Sequence, residues 1–242
     1  MLAVKCENLT KKFKDVTALD KCSLEVEEGG LFGLLGVNGA GKTTLIKILC
    51  GLTDLTDGEA FVLGRSVKSD MAEIKSLIAV SPQETSVAPK LTVKENLEFF
   101  AAVYYKDKTE RQRAVEEVIE TFSLGEALSR RAGRLSGGWQ RRLSIAVALI
   151  SHPKVLFLDE PTLGLDVLAR RELWQVIRKI KSKTTIILTS HYLEEIEALC
   201  DRVAILSSGR LAAEGTVEEI LQTSGQKTFE DAFVKIVTEA KI

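Results

Sequence analysis

The chain is short of the residues that would fix its fold or partners by themselves. Its four cysteines, Cys6, Cys22, Cys50 and Cys200, stand far apart and form no C-x-x-C pair. That argues against a disulfide framework or a cysteine-built metal site, and for reduced thiols in a cytosolic protein. No segment approaches the ~18 apolar residues that a membrane helix requires. The opening stretch "MLAVKCENLTKKF" lacks the apolar run of about 7 to 15 residues of a signal peptide. Neither sign of charge dominates: 33 Lys and Arg against 34 Asp and Glu leave a net charge of -1, so there is no overall footprint for nucleic acid or anionic lipid. The local clusters Lys11, Lys12, Lys14 and Arg130, Arg131, Arg134 read as solvated faces.

What the chain does have is apolar material, 45% of its 242 residues, enough for one large core or a core with an inserted subdomain. The first sixty or so residues read mainly as strands. "CSLEV" alternates as a half-buried strand does, and "LFGLL" (residues 31–35) is continuously apolar, as a fully buried one is. A helix is expected from Lys42 to about Gly51, then a short strand in "GEAFVLG". From Glu84 to Pro153 the pattern turns helical. Thr92 and Glu95 match a capping box, and Val115, Val118, Ile119 and Phe122 keep the spacing of a buried helix face. Buried strands return with "VLFLD", "TTIILTS" and "RVAILSSG", and a helix from Leu168 to about Lys181 joins the first two. Strand, crossover helix, strand predicts a parallel sheet.

"GVNGAGKTT" fits G-x-x-x-x-G-K-[ST] through Gly36, Gly41, Lys42 and Thr43, between a buried strand and an apolar helix. Backbone N–H groups of such a loop converge on phosphate oxygens, Lys42 adds charge for the β and γ phosphates, and Thr43 offers a hydroxyl to Mg²⁺. "VLFLDEPT" ends a buried strand on Asp159 and Glu160, at the sheet edge where ligands of open α/β folds bind. Asp159 there is expected to hold Mg²⁺ through its water shell and Glu160 to accept a proton from an attacking water; the alternative is that both cap the turn at Pro161. His191 ends the "TTIILTSH" strand at the same edge, and spacing leaves open whether it senses a phosphate or is structural. Gln83 closes another expected strand and serves either Mg²⁺ and water or a turn. "LSGGWQRR" is a second helix start with anion-binding character: Ser136 is a good N-cap, and Gly137 and Gly138 uncover backbone N–H groups at a positive helix end. Locally it is either a capped helix without ligand or, in an isologous dimer, the cover for another copy's nucleotide.

Taken together, Gly36 to Thr44, Gln83, "LSGGW", "VLFLDEP", Gly164 to Asp166 and His191 resemble, in order and spacing, the Walker A, Q-loop, signature, Walker B, D-loop and H-loop of the ATP-binding cassette (ABC) ATPases. The resemblance covers nearly the whole chain. It implies an α/β P-loop NTPase (RecA-like) core with a mixed parallel sheet, an antiparallel β subdomain and an inserted helical subdomain. The expected organisation is one ABC ATPase domain over 1–242: core 1–83 and 153–222, helical insertion 84–152, C-terminal helical segment 223–242. It implies ATP and Mg²⁺ as ligands, with Gly36, Asn38, Gly39, Ala40, Gly41, Lys42, Thr43 and Thr44 on the phosphates and Phe13 stacked on adenine. Thr43, Gln83 and Asp159 are the expected metal residues. Ser136, Gly137 and Gly138 of a second subunit complete the site, Glu160 is the base, His191 the γ-phosphate sensor, and Asp166 links the two sites.

Three positions depart from the family pattern. Phe13 replaces a tyrosine, Trp139 replaces the glutamine that ends the signature, and Val37 replaces a proline. The resemblance further implies a separate membrane-spanning permease, a second ATPase subunit that is identical or a paralogue, and a peripheral place on the cytoplasmic face of the membrane. "FEDAF" and "FGLLGVNGAGKTT" look most like the ATPases of ABC-2 type exporters. The competing expectation is a soluble ABC ATPase of an assembly or remodelling complex.

Overall fold

The computed structural model describes residues 1–181 and 183–240. Twelve-residue strands β1 (Leu2–Phe13) and β2 (Val16–Glu27) form a hairpin, and β3 (Leu31–Leu35) follows, buried at every position. Helix α1 (Lys42–Leu49) leads to β4 (Asp57–Val62), β5 (Arg65–Ser66), α2 (Met71–Leu77) and β6 (Ile78–Ser81). Three helices come next, α3 (Val93–Tyr104), α4 (Lys108–Thr121) and α5 (Gly137–Leu149). The chain then runs through β7 (Val155–Asp159), α6 (Val167–Ile180), β8 (Thr185–Ser190), α7 (Leu193–Leu199), β9 (Arg202–Ser207), β10 (Arg210–Gly215), α8 (Val217–Ser224) and α9 (Phe229–Glu239). The last two residues of the C-terminal segment expected over 223–242 lie outside the described residues.

Two sheets form among the described residues. One is antiparallel, in the order β2-β1-β4-β5; the other runs β10-β9-β3-β8-β7-β6, with β9, β3, β8, β7 and β6 parallel and β10 antiparallel at the edge. Alternation along the parallel strands divides the core. Val155 and Phe157 of β7 face the antiparallel sheet and α1, whereas Leu156 and Leu158 face α3 to α6, as successive side chains on a strand must. A third cluster joins Leu35, Val203 and Ile205 to Phe229 and Val237 of α9. With both faces covered, each fully buried Leu or Ile contributes roughly 1.5–3 kcal/mol. The strand runs are continuously apolar for the same reason.

The expected capping box is formed. The Thr92 hydroxyl accepts from the Glu95 N–H at 3.2 Å, and the Glu95 carboxylate accepts from the Thr92 N–H at 2.7 Å. The parallel order sends the carboxyl ends of β3, β8, β7 and β6 to one edge, so the segments carrying Gly36–Thr44, His191, Glu160 and Gln83 meet there although they are separated by up to 155 positions in sequence.

Candidate nucleotide site

A cleft of about 640 Å³ opens at that edge, lined by Phe13, the loop from Asn38 to Thr44, Gln83, Glu160 and His191. Between β3 and α1 the loop turns sharply. Gly41 has φ 106°, and a Cβ there would stand 2.6 Å from the Ala18 carbonyl oxygen; one on Gly36 would stand 2.5 Å from that of Leu206. Both positions therefore exclude a side chain, and the loop backbone packs directly on β2 and β9. The Lys42 side chain is buried, its Nζ donating to the Gly36 carbonyl at 2.7 Å and to that of Val37 at 3.4 Å. Burial lowers the pKa of this ammonium, with Glu160 and Asp159 opposing. Thr43 and Thr44 begin α1 and line the cleft.

Asp159 ends β7 and Glu160 follows it; β7 pairs in parallel register with β8 so that Asp159 lies opposite Thr189. The Thr189 hydroxyl donates to Asp159 Oδ1 at 2.6 Å and accepts from the Glu160 N–H at 2.9 Å. One buried hydroxyl thus orients both acidic residues. Thr43 Oγ1 donates to the same Asp159 oxygen at 3.2 Å. A hydroxyl and a carboxylate in contact, with Gln83 lining the cleft beside Thr43, offer the hard oxygen donors that Mg²⁺ takes; the residues fit that ion. Glu160 sits in the left-handed region at φ 48°, and its Oε2 lies 3.0 Å from His191 Nδ1. The His191 ring stacks on Tyr192 at 4.1 Å between centroids, and the Arg170 guanidinium covers Tyr192 at 4.5 Å. Phe13, about half exposed, forms the far wall with Lys11 over its ring at 4.7 Å.

Four of the expected residues lie elsewhere in the chain's own surface. Ser136, Gly137, Gly138 and Asp166 do not line this cleft, and the expected Gly36 and Asp159 are buried next to it without lining it. Ser136 occupies the N-cap position of α5, but its hydroxyl makes no capping hydrogen bond, unlike the good N-cap expected of it. Ser136 and Gly137 are exposed. Asp166 caps α6, accepting from the Ala169 N–H at 2.9 Å, and a Cβ on Gly138 would stand 3.0 Å from that of Ala169, so the two helix starts adjoin. Trp139 is half-buried against the helical cluster with Arg142 over its ring at 5.3 Å, and Arg142 also pairs with Glu172 of α6.

Sequence reading missed Val16, Thr17, Ala18 and Leu163, which also line the cleft, and the anchoring residues Thr189 and Arg141. Thr189 was discoverable in principle: a hydroxyl one residue from the end of a buried strand beside "VLFLDE" has a carboxylate for a neighbour. Nothing in the sequence marks Arg141, whose partners are backbone carbonyls far away along the chain.

The ABC transporter family profile matches residues 19–163. The chain is 39% identical over 224 residues to "Daunorubicin resistance ATP-binding protein DrrA2" of Streptomyces coeruleorubidus, an alignment covering 92% of this chain and 70% of that protein. It is 41% identical over 228 residues to human "ATP-binding cassette sub-family A member 2", covering 92% of this chain but 9% of the much longer relative. A solved structure described as the "ATP binding subunit of ABC transporter" superposes with a TM-score of 0.85 at 28% identity, covering 97% of this chain and 99% of the other. The fold is that of the P-loop NTPases, and with a phosphate loop, paired carboxylates and a histidine brought to one sheet edge, this chain belongs to the ABC transporter family.

Proposed function

We propose that the chain is the ATPase subunit of a transporter, most like those of ABC-2 type exporters, and that two such subunits close head to tail on two ATP molecules. The observation that supports this reading is the division of the nucleotide-binding residues. Lys42, Thr43, Gln83, Glu160 and His191 line one cleft, while Ser136 and Gly137 stand exposed outside it. The helix start that would face a γ-phosphate therefore serves a neighbour's cleft, not its own.

In that dimer the Gly36–Thr44 loop cradles the phosphates and Phe13 stacks on adenine. Thr43, Gln83 and Asp159 would hold Mg²⁺, an ion that would supply positive charge against the phosphates. Glu160 accepts the proton of the attacking water. With its Oε2 engaged by His191 Nδ1, Oε1 is left for that proton. His191, fixed by the Tyr192 stack, senses the γ-phosphate. Asp166, capping the helix beside Gly138, links the two sites.

Residues 84–152 act as a helical unit on a core of 1–83 and 153–222, and transmit closure to a separate membrane permease. The permease would bind between the segment following Gln83 and α3, whose Phe99, Val103 and Tyr104 are exposed apolar side chains. No helix among the described residues is long and apolar enough to cross a membrane. That is in keeping with a peripheral subunit on the cytoplasmic face, whose partner cassette is a second copy or a paralogue. No nucleic acid partner is expected from a net charge of -1.

Ser136→Arg tests the shared site. ATP binding by the isolated chain is expected to stay within about twofold while turnover falls at least tenfold; an unchanged ATPase rate overturns the reading. Purification from native membranes is expected to bring a polytopic subunit with the chain. Recovery with soluble proteins alone overturns the transport assignment.

A further inference from the structure

The loop that carries Gln83 is fastened to α5 by a buried cation. Arg141 is 4% exposed. Its Nη1 donates to the Pro82 carbonyl at 2.6 Å, and its Nη2 donates to the Gln83 carbonyl. One turn further along α5, the buried Ser144 shares a hydrogen bond with Ser81 at 3.2 Å and accepts from the Ser86 N–H at 3.3 Å. Positions three apart on a helix lie on one face. That face therefore holds the end of β6 and the loop on both sides of Gln83, while Gln83 itself lines the cleft.

The arrangement is costly. A guanidinium taken out of water needs compensation, and burial lowers the pKa of Arg141, with Asp159 and Glu195 opposing from a distance. What the guanidinium supplies in return is geometry. Its planar fork addresses two successive carbonyls at once, which an ammonium does not. The first turn of the same helix carries Ser136, Gly137 and Gly138.

We propose that Arg141 is a positioning residue for ATP hydrolysis: by gripping the Pro82 and Gln83 carbonyls it sets the Gln83 side chain in the cleft and makes that loop move as one piece with the Ser136 end of α5. The inference rests on the assignment of Gln83 to the ATP site made above.

A double-mutant cycle on steady-state ATPase of the full chain tests it, using Arg141→Lys, Arg141→Met and Gln83→Ala singly and combined. Methionine fills the stem without burying a charge, so Arg141→Met is expected to fold and melt cooperatively. Each Arg141 variant is expected to lower kcat about ten- to a hundredfold and to raise the Mg²⁺ concentration giving half-maximal rate. The KM for ATP should stay within about twofold, because the Gly36–Thr44 loop is untouched. The combined variants should be no slower than Gln83→Ala alone. Multiplicative losses in the combined variants overturn the proposal while leaving Gln83 in the site. An unimpaired Gln83→Ala enzyme overturns the Gln83 assignment and the proposal with it. Failure of both Arg141 variants to fold makes the residue a structural one and likewise overturns it.

Discussion

At the scale of single residues, the proposed chemistry rests on a backbone conformation that side chains seldom adopt. Glu160 lies at φ 48° and its N–H is held by the Thr189 carbonyl and hydroxyl. A non-glycine residue in that region costs of order 1–3 kcal/mol and persists where its surroundings over-determine it. Here those surroundings are the end of β8 and the His191 ring. The same bonds aim the carboxylate into the cleft beside Lys42. Glu160→Gln preserves shape and hydrogen bonding but removes the proposed proton acceptor. It is expected to bind ATP, to lose about 10²- to 10⁴-fold in turnover, and to accumulate as an ATP-dependent dimer. Phosphate release and size-exclusion chromatography with ATP check this, and undiminished hydrolysis removes Glu160 from the role of base. Glu160, Asp159 and Lys42 were legible in the sequence because motif and strand context coincide. Thr189 and Arg141 were not, since each acts through partners brought in by sheet pairing or helix docking.

At the scale of elements, local signals worked where the local energy is large. The "LFGLL" run is a fully buried central strand, and "VLFLD" is another, because parallel strands covered on both faces have no polar side to show. The Thr92–Glu95 capping box starts α3 one residue after Thr92. Thr92→Ala removes one of its two reciprocal bonds and is expected to cost about 1 kcal/mol. In a chain of this size that lowers the melting temperature by roughly 2–4 °C, measured by calorimetry, with ATP affinity unchanged; no shift would mean that tertiary packing alone sets the start of this helix. Ser136 shows the opposite case. It has the residue type and position of a cap, yet its hydroxyl makes no capping bond. Sequence supplies the candidate, and only the geometry reveals that the hydroxyl is not used within its own helix.

At the scale of the whole molecule, stability and site share the region behind the cleft. Glu195 of α7 is 0% exposed and accepts from the Trp174 indole of α6 at 3.0 Å. Burial raises its pKa above the ordinary 4.5, while Ser190, Trp174, Thr162 and Arg170 pull the other way. An acid whose folded pKa exceeds its unfolded one contributes stability that is complete below the unfolded value and is lost as pH rises through the folded value. Glu195→Gln still accepts the indole bond and titrates in neither state. The melting temperature of this variant, relative to the parent protein, is therefore expected to rise as pH is raised above 4.5. A difference that stays flat over that range, in melts at several pH values, overturns the raised pKa.

The sequence by itself determined the phosphate loop, the acidic strand end, the helical character of the middle third and the buried strands, because each is a local pattern whose free energy is settled within a dozen residues. It determined nothing of the order β10-β9-β3-β8-β7-β6. Only the tertiary structure decided that Gln83, Glu160 and His191 meet the loop at Lys42, that Arg141 ties α5 to Gln83, and that Ser136 stands outside its own cleft. Those contacts join parts of the chain that are remote in sequence, and they are fixed by pairing of strands and packing of helices that no local pattern encodes.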